Sequence, residues 1–135
     1  MSVLTHIALL YKIRSNLMYN NEFPLAPIER ILFIVAMIPE GKVSSYGKVA
    51  DLAGLPKRAR YVSKALKLAD PKKNIPWHRV INSQGKISFI KDSNEYRAQA
   101  ELLRIEGVEV NQGKIQLSKY EWQPNIASLV LGIPF

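Results

Sequence analysis

"VSSYGKVADLAGLPKRARYVSKALKLAD", residues 43–70, carries two helix starts with a turn between them. Ser44 or Ser45 can cap a short helix running through Leu52, because a serine oxygen accepts an N–H that the first helical turn leaves unpaired. Gly54 stops that helix. Pro56 then suits the start of a second helix, where its missing N–H costs nothing. Along that helix Val62, Leu66 and Ala69 fall inward at helical spacing, and Lys57, Arg58, Arg60, Lys64 and Lys67 fall mostly outward. Two short helices around a glycine-containing turn, the second one basic, outline a helix-turn-helix. A packed helix pair with a solvated basic face gives the same pattern, and shape alone leaves both readings open.

Outward from this pair, "PIERILFIVAMI", residues 27–38, reads as a helix with Pro27 in its first turn. Its inward stripe is Ile28, Ile31, Leu32, Val35 and Ile38, and Pro39 and Gly41 end it. On the other side, "DPKKNIPWH", residues 70–78, is held extended or turned by its two prolines. "RVINSQGKISF", residues 79–89, reads as a hairpin around Ser83-Gln84-Gly85. Ser93 or Asn94 caps a helix over "EYRAQAELLRIEG", with Ala98, Leu102, Leu103 and Ile105 suited to packing and Gly107 as its stop. "VEVNQGKIQL", residues 108–117, is a second hairpin-like stretch. The fold class expected is mainly α with short β-hairpins (α+β), a winged-helix-like helix-turn-helix domain over residues 25–123. An N-terminal extension, residues 1–24 with a short helix over "HIALLYKI", precedes it, and an apolar tail, residues 124–135, follows.

Composition narrows the function classes. The chain of 135 residues, 47% hydrophobic, suits one domain with a real core. It has no cysteine, which excludes disulfides, thiol catalysis and cysteine-zinc sites. With only His6 and His78 a structural zinc site is not expected either, and no metal or cofactor is implied. No apolar run is long enough for a membrane span, and the N-terminus lacks the features of a signal peptide. The formal charge of +8 favours a polyanionic partner, though charge by itself does not separate DNA from RNA or an acidic membrane surface.

Three segments then carry a resemblance. "IPEGKVSSYGKVADLAGLPKRARYVSKAL", "IPWHRVINSQGKIS" and "LLRIEGVEV" resemble the C-terminal, DNA-binding domain of the O6-alkylguanine-DNA alkyltransferases, from about Pro27 to Val110. That family carries Pro-Cys-His-Arg-Val; this chain reads Pro76, Trp77, His78, Arg79, Val80. Tryptophan for cysteine, a short chain and a segment such as "QLSKYEWQP" are similar to the alkyltransferase-like proteins, the relatives that lack the acceptor thiol. In the family a histidine beside the cysteine makes the thiolate through water, and a glutamate orients it; His78 and Glu106 match those positions. An indole N–H only donates, so nothing at Trp77 attacks an alkyl group.

The resemblance further implies binding from the minor groove and extrusion of the target nucleotide. Arg60, in "RARYV", matches the arginine that replaces the flipped base in the stack. Tyr46, in "SYG" with Ser45 for threonine, matches the tyrosine that turns the target phosphate. Taken without the family, the two are a surface arginine and a half-buried tyrosine. Tyr61 and Lys64 join the implied DNA-binding set. Tyr46, Leu66, Trp77 and Val80 make the implied lesion pocket, Val80 through its backbone. Trp77 reads either as a broad face against the purine or as a plain core tryptophan. Arg79 is grouped with the DNA-side residues, although its place in the motif points more to fixing local structure than to touching the base.

Two departures stand out. Asp70 replaces the hinge asparagine, in a loop one residue shorter. "FIKDSNEY", residues 89–96, replaces a glycine-rich lid, where Lys91 is a candidate phosphate contact.

The function implied is binding of O6-alkylguanine in double-stranded DNA without transfer. Nucleotide excision repair proteins are the implied receivers, and the bound lesion is blocked to alkyltransferase. A helix-turn-helix regulator without lesion specificity is the alternative. A monomer is expected, cytoplasmic with the nucleoid in a bacterium or nuclear in a eukaryote.

Overall fold

The computed structural model describes residues 26–125. The lead-in helix over "HIALLYKI" and the tail beyond residue 125 lie outside the described residues. Helix α1 runs Pro27–Met37, strand β1 Ser44–Ser45, α2 Tyr46–Leu52 and α3 Ala59–Leu68. Two 3-10 turns, Pro71–Lys73 and Trp77–Arg79, lead into β2, Val80–Ile81; α4 is Asn94–Ile105 and α5 Leu117–Tyr120. Among the described residues no helix is long and apolar enough to cross a membrane.

Local chemistry accounts for the helix ends. Ser45 caps α2, its oxygen accepting the Lys48 N–H at 3.0 Å, and Ser93 caps α4 by accepting the Tyr96 N–H at 3.2 Å. The second helix of the pair begins at Ala59, not at Pro56. Leu55–Arg58 is instead a turn closed by the Arg58 N–H on the Leu55 carbonyl at 3.2 Å, with Lys57 at φ 65°. Proline's fixed φ serves the second position of such a turn as well as it serves a helix start, so sequence does not separate the two.

The core has two parts, and β2 divides them. Ile31, Ile34, Val35 and Ile38 of α1 and its end pack on Val49, Ala50 and Leu52 of α2 and on Val62 and Ala65 of α3, together with Val80 and Trp122. The second part gathers Val43, Ile81, Ile87, Ala100, Leu103, Val108, Val110 and Ile115. Successive residues on a strand point to opposite faces, so Val80 enters one part and Ile81 the other.

This arrangement corrects the first hairpin. Val80 and Ile81 pair in parallel with Ser44 and Ser45, not with the chain that follows them. The Asn82–Lys86 turn itself forms, with the Gly85 N–H on the Asn82 carbonyl at 3.0 Å. Its outgoing arm then pairs antiparallel with the second turn, through a Lys86–Lys114 bridge and the Ile115 N–H on the Gly85 carbonyl at 2.7 Å. β2 is one of only two strands in its sheet yet is buried on both faces, and only its tertiary neighbours make it so. Gly85 is needed there: it sits at φ 78°, and a Cβ would come within 2.7 Å of the Ile115 carbonyl oxygen. The second stretch is a minimal hairpin, Asn111 and Lys114 exchanging hydrogen bonds across Gln112 and Gly113.

The inward faces also shift. Ile34 is fully buried although it lay outside the expected stripe, and Ala65 is buried in α3 while Leu66 and Ala69 are half-buried. In α4 the buried residues are Gln99, Ala100 and Leu103; Ala98 is exposed and Ile105 is 74% exposed. The reason is polar. Gln99 donates to the carbonyls of His78 at 3.0 Å and Val80 at 2.9 Å, so the helix turns this amide inward to satisfy buried backbone.

Candidate nucleic-acid interface

The loop between α3 and β2 is built to present one side chain. Asp70 caps its first turn by accepting the Lys72 N–H at 3.0 Å, and Asn74 adopts a left-handed φ of 50°. Pro76, at φ −76° and ψ 65°, forms an inverse γ-turn closed by the Trp77 N–H on the Ile75 carbonyl at 2.8 Å. Trp77 emerges from that turn half-buried. The His78 ring stands edge-on to the indole at 6.1 Å and 86°, and the Phe89 ring at 6.0 Å and 84°.

Trp77 borders two clefts. One, of about 550 Å³, is lined by Tyr46, Ser63, Leu66, Trp77 and Phe89, with Lys67 and Glu95 also on its wall. The other, of about 700 Å³, is more polar and runs along the loop past Asp70, Lys73, Asn74 and His78; Leu66, Lys67 and Trp77 are common to both. The ring is therefore a wall between clefts and not a plain core tryptophan. A smaller hollow of about 210 Å³ continues from the first cleft between Tyr46, Ala59, Arg60, Ser63 and Ser88. Tyr46, at the start of α2, places its hydroxyl 3.2 Å from the Ser88 hydroxyl.

Behind the loop lies a charged knot. Glu106, at the end of α4, has a side chain 8% exposed. It accepts from His78 Nε2 at 2.7 Å, from Arg79 Nη2 at 2.7 Å and Nε at 3.0 Å, and from the Gly41 N–H at 3.1 Å. Burial alone would raise this carboxyl. The hydrogen bonds from Arg79, His78 and Gly41 outweigh burial and lower it from 4.5 to about 2. Arg79 also donates to the Ile38 carbonyl at 2.8 Å, which ties the loop to the end of α1.

The remaining implied residues fall in three places. Arg60 and Lys64 are exposed on α3, in one stripe with Ser63 and Lys67 at helical spacing. Tyr61 is half-buried against the core, with Arg58 and Lys64 over its ring at 5.2 and 6.0 Å. Lys91 is exposed beyond Phe89.

One placement differs from expectation, and a second decides between two roles left open. Val80 is fully buried in the first part of the core; its N–H bonds the Trp77 carbonyl and its carbonyl accepts from Gln99, so its backbone serves the scaffold. Arg79, grouped with the DNA-side residues but read from its motif as fixing local structure, points into the knot with Glu106 as an internal brace. Sequence reading missed Ser63, Lys67, Ser88, Phe89 and Glu95 on the cleft walls. The i+3 and i+7 spacing from Arg60 could have found Ser63 and Lys67. Nothing local marks the others, because the path of the chain after Gly85 decides them.

The family described as "6-O-methylguanine DNA methyltransferase, DNA binding domain" matches residues 27–108. The chain belongs to this family. It is an alkyltransferase-like member, similar to "DNA base-flipping protein" of Vibrio parahaemolyticus, 48% identical over 96 residues, which covers 70% of this chain and 94% of that one. It is also 44% identical over 95 residues to "Alkyltransferase-like protein 1" of Schizosaccharomyces pombe, covering 67% of this chain and 88% of that one. The fold of this alkyltransferase-like chain matches the crystal structure of S. pombe Atl1 in complex with damaged DNA containing O6-carboxymethylguanine. The TM-score is 0.67 at 41% identity, over 73% of this chain and 95% of that one. Mycobacterium tuberculosis OGT in complex with DNA matches at TM-score 0.52 and 26% identity, over 79% of this chain and 57% of that one.

Proposed function

We propose that this chain recognises O6-alkylguanine in duplex DNA, flips the nucleotide into the Trp77 cleft and holds it there without transferring the alkyl group. One observation carries the reading. Trp77 forms a wall of an apolar cleft at the position where the resemblance places an acceptor cysteine, in a chain that has no cysteine. The basic stripe of α3 lies along the duplex. Arg60 enters the stack in place of the extruded base, where its planar cation stacks and bonds the orphaned partner. Tyr46 and Ser45 meet the backbone of the turned nucleotide, and Lys64 and Lys91 meet neighbouring phosphates. The base lies against Trp77, Leu66 and Phe89, which supply stacking and apolar contact but no electron pair for attack. Extrusion costs a few kcal/mol and is offset by those contacts.

The complex keeps the lesion alkylated and shields it from alkyltransferase. The distorted duplex serves as the signal, and nucleotide excision repair is its receiver. The protein acts as a monomer wherever the cell keeps its DNA.

Titration of matched duplexes with and without one O6-methylguanine tests the binding; the lesion duplex is expected to bind at least about tenfold more tightly at moderate salt. Equal affinity would sink the reading. Incubation with DNA radiolabelled in the methyl group is expected to leave the protein unlabelled, and stable label would mean that a nucleophile acts. Loss of excision repair genes is expected to abolish the protection the protein gives cells against alkylating agents.

A further inference from the structure

A histidine–glutamate relay beside a missing nucleophile has no proton to move, yet here it is fully assembled. His78 Nε2 meets Glu106 at 2.7 Å, with the carboxylate also holding Arg79 and the Gly41 N–H. Leaving such a set intact is costly if it does nothing, because charges this far out of water need every partner they have. What the set touches is Trp77. The indole is held between two perpendicular rings, His78 at 6.1 Å and Phe89 at 6.0 Å. Phe89 is positioned by apolar packing alone, whereas His78 is fixed at its ring edge by the carboxylate and at its carbonyl by Gln99. The short hydrogen bond at Nε2 fixes the direction of the imidazole's outer edge and the Gln99 bond holds the backbone that carries it, and together they restrict the edge against which the indole rests.

We infer that Glu106 is a positioning residue for lesion recognition: through His78 it fixes the plane of Trp77, so that the indole face stays aligned with the cleft instead of closing it. This deepens the lesion-binding reading and rests on it. Because Trp77, with Leu66 and Lys67, lines both clefts, a small swing of its ring would narrow one and widen the other. A fixed ring lets the cleft meet the base without first paying to order its wall. Glu106 also reaches the Gly41 loop and, through Arg79, the end of α1, so the ring plane is referred to the helical core and not to the loop that carries it.

The test uses the full chain with 5-fluorotryptophan, which gives separate fluorine resonances for Trp77 and Trp122, assigned by Trp77→Phe. Two variants are compared. Glu106→Gln keeps the shape but loses the acceptor charge. His78→Phe keeps the ring and loses its hydrogen bond. Removing a charged hydrogen bond is expected to lower affinity for the O6-methylguanine duplex roughly tenfold in each, while affinity for the unmodified duplex stays within about twofold. In the DNA-free protein the Trp77 resonance broadens or shifts and that of Trp122 does not. Equal weakening on both duplexes would reduce Glu106 to a structural brace and overturn the inference. So would a retained lesion preference in either variant, or a lost preference with an unmoved Trp77 resonance. If Glu106→Gln does not fold, His78→Phe decides alone. If the wild-type chain shows no lesion preference, the lesion-binding reading fails, while the fluorine spectra still decide whether Glu106 sets the ring.

Discussion

Trp77, Arg60 and Glu106 each carry a different kind of argument. By resemblance the sequence implied that Trp77 stands where the family carries its nucleophile, and an indole has no substitute for a thiol's chemistry. Its half-buried place between two clefts was not legible there, since the Phe89 ring comes from a segment further along the chain and the adjacent His78 ring is held by the distant Glu106. Arg60 is exposed in the first turn of α3, at the rim of the Tyr46 hollow. On the proposed mechanism, Arg60→Ala is expected to weaken lesion-duplex binding by roughly tenfold or more, the worth of one stacked base. Arg60→Lys should not restore it, because an ammonium has no planar face to stack. Glu106 makes a pH prediction with a definite sign. Its folded carboxyl lies at about 2 against an ordinary 4.5, so its stabilisation is complete above pH 4.5 and is lost as pH falls toward 2. The stability gap between wild type and Glu106→Gln, measured by urea unfolding, is expected to be roughly 3 kcal/mol above pH 5 and to shrink across that window. A gap that stays constant down to pH 2 would contradict this.

At the scale of elements, the caps were the most legible features. Ser45 and Ser93 hold the N–H groups that their helices leave unpaired, and this is chemistry of the nearest four residues. Ser45→Ala is expected to cost about 1 kcal/mol of stability, read from denaturant midpoints, through loss of the α2 cap. Its effect on DNA affinity separates the cap from any phosphate contact: a loss beyond what unfolding explains belongs to the hydroxyl's own proton. Two element-scale readings failed for one shared reason. Pro56 fits a turn as well as a helix start, and "RVINSQGKISF" alternates as a hairpin does. In both cases the local pattern has two solutions. The packing of Leu55 against the first core and the burial of β2 on both faces chose between them. The face of α4 turned for a related reason: Gln99 satisfies two carbonyls that belong to a segment about twenty residues away in the chain.

For the whole molecule, the net charge of +8 and the exposed row of Lys57, Arg58, Arg60, Lys64 and Lys67 make binding electrostatic at long range. If three to five of these cations neutralise phosphates, log affinity is expected to fall against log salt with a slope of about −3 to −5. Lys64→Ala should lower that slope by about one and weaken lesion and unmodified duplexes alike. A changed lesion preference in this variant would place Lys64 in recognition and not in steering. The sequence by itself narrowed each helix cap to two adjacent residues and determined the basic stripe, the absence of any thiol and, by resemblance, the family and its implied fold. These depend on residue type and on spacing within one turn or one motif, which no distant contact can alter. Only the tertiary structure decided that β2 pairs in parallel with β1, that Arg79 bonds Glu106, that Val80 is buried in the core, and that Phe89, Ser63, Lys67 and Glu95 line the Trp77 cleft. Each of these joins segments far apart in the chain. Their positions follow from how two half-cores close on one buried strand, and no local pattern encodes that closure.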